Sequence, residues 1–328
     1  MKKWTYIISV ALLAMVIVLP VNAQMKKVAQ TGLQFLKIDM SPRTAAMGGA
    51  YLLIGDDATA MFSNPAGISS FEGKVDVFAS RTTWIADITY NAFGAIVNLD
   101  NWGSFGISAV MPDYGTIEGT IVADNEQGYE STGNLDVGAY AVGLSYGRRL
   151  SSQFSIGGQV KYVGQNLGSS VLNDGSEVEN KVDGLAFDFG TIYYPGFKSF
   201  RFGMSIRNFS EEFKYEKEGF QLPLTFTIGI AMDVMDLISE DHSDKLLVAI
   251  DALHPRDYSE RLHFGAEYQL MSMFAFRAGY KYNYDIESFS VGMGFMKEFG
   301  GIGVKIDYAY SDIDYFDAIN RFSLGISF

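Results

Sequence analysis

The segment from Asn320 to Phe328 alternates without a break: Phe322, Leu324, Ile326 and Phe328 point one way, Arg321, Ser323, Gly325 and Ser327 the other. A period of two means a strand with two unlike faces. An apolar stretch, Ile7 to Leu19, follows Lys2 and Lys3, and Val21-Asn22-Ala23 supplies the small residues of a cleavage site. Residues 1–23 therefore read as an export signal. An exported chain that closes on an alternating strand with a final aromatic is the pattern of an outer-membrane β-barrel.

Composition narrows the alternatives. Beyond the signal there is no run of about twenty apolar residues, so spanning by helices is excluded and a closed barrel is what remains. Hydrophobic content of 48%, 35 glycines and 14% aromatics suit many short strands. With no cysteine, disulfides, thiolate metal sites and lipid attachment at cysteine are excluded. A net charge of −13 argues against nucleic acid as a partner.

From Val75 onward the chain divides into roughly ten-residue alternating segments, the length of a tilted membrane strand. About fourteen are expected, near Val75–Thr83, Ile88–Leu99, Gly103–Met111, Leu135–Leu150, Phe154–Gly164, Leu185–Tyr194, Phe200–Asn208, Pro223–Val234, Lys245–Leu253, Arg261–Leu270, Phe274–Asn283, Phe289–Phe299, Val304–Ser311 and Ala318–Phe328. Leu224, Phe226, Ile228 and Ile230 form one face, opposed by Thr225, Thr227, Gly229 and Ala231. The apolar face should meet lipid, because a basic side chain there costs about 2–4 kcal/mol near the midplane. Short and long connections alternate, with Pro112 to Asn134, Gln165 to Gly184 and Asn208 to Leu222 expected as long outer loops. Met235 to Asp244, nominally a periplasmic turn, is the exception.

Inward positions carry charge of both signs: Arg201, Arg207, Asp251, Arg261, Glu267, Arg277, Lys281, Lys305, Asp307 and Arg321. Buried charge persists only when paired, so these are expected to brace the barrel around a plug.

Residues 24–73 are the expected plug, and the alternating barrel takes 74–328. The plug does not alternate. Gly48 and Gly49 allow close backbone approach, Asp56 and Asp57 open a short helix over Ala58 to Phe62, and Asn64-Pro65 ends it. Calcium at Asp56 and Asp57 is the less favoured reading. The run Phe35-Leu36-Lys37-Ile38, Arg43, Ala46 to Tyr51, Asp56-Asp57-Ala58 and Asn64-Pro65-Ala66-Gly67 resembles the N-terminal signature of the PorV/PorQ family. That family is related in architecture to FadL-type transporters, fourteen-stranded barrels whose hatch carries Asn-Pro-Ala. The resemblance implies a hatch within the barrel and work in type IX protein secretion, where such barrels pass exported proteins to a surface complex. Ser63 departs from the pattern, which commonly has an aromatic there.

Enzyme chemistry finds little support. His242, His254 and His263 are dispersed, and His263 near Ser259 lacks a group to orient it. No metal-ligand spacing and no complete dinucleotide fingerprint occurs, so no catalytic, cofactor or metal residues are assigned. The reading is a non-enzymatic, all-β outer-membrane barrel with a hatch, serving type IX secretion or surface attachment. Its partners are outer-membrane lipid, the barrel-assembly machinery through Phe328, and secretion-system proteins or cargo. A FadL-like channel for hydrophobic small molecules and a structural protein without cargo remain as alternatives.

Overall fold

The computed structural model describes residues 31–171, 176–238 and 244–328. The expected export signal, the first residues of the plug and His242 lie outside them.

The strands are β1 (Val75–Thr83), β2 (Thr89–Asn98), β3 (Ser104–Asp113), β4 (Val137–Ser151), β5 (Phe154–Val171), β6 (Glu177–Tyr193) and β7 (Arg201–Ser210). Then follow β8 (Thr225–Asp233), β9 (Lys245–Pro255), β10 (Arg261–Leu270), β11 (Phe274–Tyr282), β12 (Glu287–Phe299), β13 (Ile302–Ile313) and β14 (Ile319–Ser327). Each pairs antiparallel with its sequence neighbours, and β14 returns to β1, so fourteen strands close one barrel. The seam is secured at its end by Phe328, whose N–H donates to Val75 O at 2.8 Å.

Burial along the strands is the inverse of a soluble sandwich. On β8 Ile228 and Ile230 are exposed while Thr225, Thr227, Gly229 and Ala231 are buried. On β14 Phe322 and Leu324 are exposed while Arg321 and Ser323 are buried. The large apolar set therefore forms an outer belt for hydrocarbon. The small and polar set faces inward.

Residues 31–74 fill that interior. They form short helical turns over Gln34–Lys37, Pro42–Ala46, Ala58–Phe62 and Pro65–Ser70, linked by turns. Propensity does little to hold pieces this short, so packing must. The wall meets them with glycine: a Cβ at Gly147, Gly157, Gly190, Gly229, Gly265 or Gly279 would collide with Ile68, Pro65, Asn64, Leu52 or the Met47–Gly48 backbone. These glycines let the inner backbone lie directly on the strands.

Two expectations are corrected. Residues 165–183 are not a plain loop: β5 and β6 continue as a tall hairpin, with Gln165 paired to Val182 and Val171 to Glu177. Strand β5 has 18 residues, and about eight of them lie beyond the roughly ten that crossing requires. The connection after β3 holds a two-stranded sheet of its own, Ile117–Val122 with Tyr129–Leu135. Other connections at the same end, such as 256–260 and 283–286, are as short as turns.

Candidate functional site

The functional candidate is the interface between hatch and wall. Its centre is Glu267 on β10, with no exposed surface. Arg43, from the helical turn Pro42–Ala46, grips it with two bonds, Nε and an outer guanidinium nitrogen each at 2.8 Å. Arg277 on β11 donates from Nε at 2.5 Å and reaches Asp307 on β13 at 2.6 Å. A single carboxylate thus joins hatch and wall through two cations. Neither charge is stranded, which is the condition for keeping ions out of water.

A second bolt runs through Asp57. Its side chain accepts from Thr59 N at 3.0 Å, capping the turn Ala58–Phe62, and pairs with Lys305 of β13 at 3.0 Å. Lys305 also approaches Asp76 at 3.9 Å, and Asp76 accepts from Ala58 N at 2.9 Å. A third lies nearer the long-loop end. There Lys281 bridges Asp39 at 3.1 Å and Glu287 at 2.5 Å, while Arg321 donates to Asp39 O at 3.1 Å.

The motif residues have distinct duties. Gly48 and Gly49 take φ of 62° and 79°, a region open to glycine, and set the Met47–Gly48 peptide against Gly279 and Gly49 against the His263 ring. Asn64 accepts from Ala66 N at 3.1 Å and donates to Leu52 O at 3.0 Å and Thr191 O at 3.3 Å. Pro65, Ala66 and Gly67 are buried beneath it, Pro65 and Ala66 against Gly157. Asp56 does not cap the turn as expected; it is half exposed and pairs with Arg43 at 3.0 Å. With Asp56 and Asp57 engaged by different cations, the calcium alternative gives way to a structural one.

Of the inward charges, Arg207 donates to Phe62 O at 2.7 Å and Asp251 accepts from Leu52 N at 3.0 Å, so both hold hatch backbone. Arg201, the first residue of β7, stands apart from these bonds, with its Nε buried and without a partner in the described residues. Arg261 stacks on Tyr258 and Tyr284, 4.1 and 3.8 Å from the ring centres. His263 meets Tyr284 Oη at 2.7 Å, and Ser259 accepts from Asn283 at 3.0 Å, so the imagined hydrolase pair is engaged elsewhere.

Sequence reasoning left Arg43, Asp39, Asp76 and the Lys161–Asp188 pair, 2.7 Å apart, out of the site. Arg43 did carry a signal: it is the one charge in the small-residue run Pro42 to Ala50.

Asp39 also sets the response to acid. Burial alone raises its carboxyl, but Lys281 and then Arg321 hold it below the ordinary range, at about 2. Asp57 is likewise lowered, by Lys305 and Arg43 against the effect of burial. Depressed carboxylates stabilise the fold fully above their unfolded pKa and lose that contribution as pH falls through the folded value. Pepsin should therefore leave residues 31–74 intact at about pH 4 and cut them near pH 2. Cleavage beginning already at about pH 5–6 would reverse the assignment.

Between hatch and wall a cavity of about 400 Å³ reaches the connections around Tyr258 and Tyr284. Its wall follows the strand register: Ser205, Thr227, Leu253 and Arg261 form one row, and Asp251, His263 and Lys281 line the next. A smaller recess beside it is lined by Phe35, Met40, Met61, Phe62, Val110 and Lys161, among others.

Residues 105–320 match the family described as type IX secretion system membrane protein PorP/SprF, a span from β3 into β14 that leaves out the hatch. No curated protein matches the chain. Among solved structures, the CymD monoaromatic hydrocarbon channel is similar with a TM-score of 0.59 and 14% identity, covering 88% of this chain and 97% of that one. The Pseudomonas putida toluene transporter TodX is similar at 0.57 and 14%, covering 88% and 96%. A Pseudomonas aeruginosa FadL homologue follows at 0.51 and 12%, covering 88% and 99%. At such identities the likeness is one of fold: an outer-membrane barrel of FadL-like architecture.

Proposed function

We propose, from the premise that this chain belongs to the type IX secretion system membrane protein PorP/SprF family, that it is a non-enzymatic component of type IX export or surface attachment. Its hatch-filled barrel serves as a rigid platform, and its outer hairpins hold secretion-system proteins or exported cargo. The family match carries this reading. A hatch bolted to the β10–β13 arc of the wall by Glu267, Lys305 and Lys281 is consistent with a scaffold, since each bolt adds to what keeps the lumen filled.

The finer likeness to PorV/PorQ rests on residues 35–67, ahead of the matched span. It supports a hatch of that kind joined to a PorP/SprF-type barrel. Export through residues 1–23, the division into plug and barrel at residue 73, and recognition of Phe328 by the insertion machinery belong to the same proposal.

A FadL-like channel for hydrophobic small molecules is the second reading, favoured by the apolar side of the smaller recess, formed by Phe35, Met40, Met61 and Phe62, although Lys161, Asp188 and Arg207 line the same space. The larger cavity weakens it, because Arg207, Asp251, Arg261 and Lys281 line that space. An apolar solute would displace water from those charged and polar groups and offer no hydrogen bond in return.

Deletion in the native cell separates the two. Loss of type IX substrates from the surface, restored by the intact chain, is the expected result. Normal secretion and anchoring in the deletion strain, with a hydrophobic ligand copurifying with the barrel, would replace the platform by the channel.

A further inference from the structure

Among the described residues, no third strand pairs with the small sheet after β3. Ile117–Val122 pairs with Tyr129–Leu135 and, among the described residues, with nothing else, so both outer backbone edges are unpaired. Its side chains add apolar surface: Ile117, Ile121 and Tyr129 are exposed, and Val122 is 94% exposed. The sheet rests on the tall hairpin through Leu135, which lies 3.4 Å from the position a Cβ would take at Gly168. That contact holds one end of the sheet, and the edges project beyond the lipid belt.

Its charge is of one sign. From Asp113 to Asp136 the carboxylates are Asp113, Glu118, Asp124, Glu126, Glu130 and Asp136, and no Lys, Arg or His occurs. Unpaired edges are usually guarded by lysine or proline, because they recruit other strands. Here the guard is a bulge at Gly119/Thr120 and a uniform negative charge. That charge rejects the same hairpin of a second copy and welcomes a basic strand, so the repulsion acts as a filter.

We infer that Ile117–Val122 and Tyr129–Leu135 form a strand-addition site for an extended, basic polypeptide segment that alternates Lys or Arg with apolar residues. Backbone hydrogen bonds along the free edge supply the affinity. Glu118 and Glu130 supply the charge selection, and Ile121, Val122 and Tyr129 the apolar contacts. The proposal rests on the secretion reading only for the source of that strand, an exported protein.

The test uses the full barrel in lipid nanodiscs and a fluorescent peptide of about nine residues alternating lysine and valine. One control has a central proline, and a second replaces lysine by glutamate. Anisotropy reads binding, and hydrogen exchange reads amides 117–135. The expected result is binding of the basic peptide with protection of those amides. Binding should weaken roughly tenfold with the proline control, which cannot complete a ladder. It should weaken comparably in the Glu118→Gln/Glu130→Gln barrel. The proline control alters the probe and leaves the barrel's folding out of the question. Equal binding of both basic peptides would reduce the interaction to charge attraction and overturn the site. So would absence of binding, or protection that grows with barrel concentration alone, which would assign the edge to a second copy. Defective secretion in the deletion strain without peptide binding would overturn this site and leave the platform standing.

Discussion

Replacing Glu267 by alanine should release the hatch at a cost of about 3–5 kcal/mol, the range for stripping one partner from a buried ion pair. The size follows from what remains. Arg277 keeps Asp307 and Arg43 keeps Asp56, but Asp56 is half exposed and neither guanidinium regains its Nε partner. Two cations would then share an interior built for their common carboxylate. Urea unfolding in detergent should show the loss, and a protease acting from either side should cut residues 31–74 in the variant first. Planar-bilayer recordings add a readout that stability alone does not move: openings absent from the parent barrel. Glu267→Gln keeps the shape and removes the charge, so it should fall between parent and alanine. A variant as stable and as protease-resistant as the parent would show that the Arg43 bonds do not hold the hatch.

The barrel was legible because lipid enforces a period of two. Where that pressure acts, as on β1 and β10, the expected bounds Val75–Thr83 and Arg261–Leu270 coincide with the strands. Where it stops, the signal stops. The upper halves of β5 and β6 rise beyond the lipid, so Gln165, Asn166, Ser169 and Ser170 show no apolar alternation although they are strand. The same logic separates the two sides of the site. Glu267, Arg277, Lys281 and Lys305 were visible because alternation places them inward. Their hatch partners Arg43, Asp39 and Asp57 follow no period, and the bond from Arg43 to Glu267 spans 224 positions. Local rules do not reach that far. The turn after Asp57 was found from its cap, which depends on neighbours only.

Gly279→Val should displace the hatch as strongly as loss of a charge, although it removes no bond directly. Gly279 on β11 pairs with Gly265 on β10, and the Met47–Gly48 peptide lies on both. An added Cβ at Gly279 would fall on Gly48 N and Met47 C, which are backbone atoms without a rotamer to escape into. Overpacking a core costs about 1–3 kcal/mol where side chains can shift. Against backbone the upper end is expected, because Gly48 already occupies φ 62° and the turn has little room to adjust. Moving that peptide carries the preceding turn with it, and so pulls Arg43 from Glu267. The same protease-sensitive, conducting barrel should result as from Glu267→Ala, and combining the two should add little, since both break one contact. Gly158→Ala supplies the comparison: its nearest neighbour, Asp188 O, is 3.7 Å from the added Cβ, an ordinary contact. Stability and hatch protection in that variant should match the parent. Full additivity of Gly279→Val and Glu267→Ala would mean that close backbone packing and the buried carboxylate hold the hatch independently.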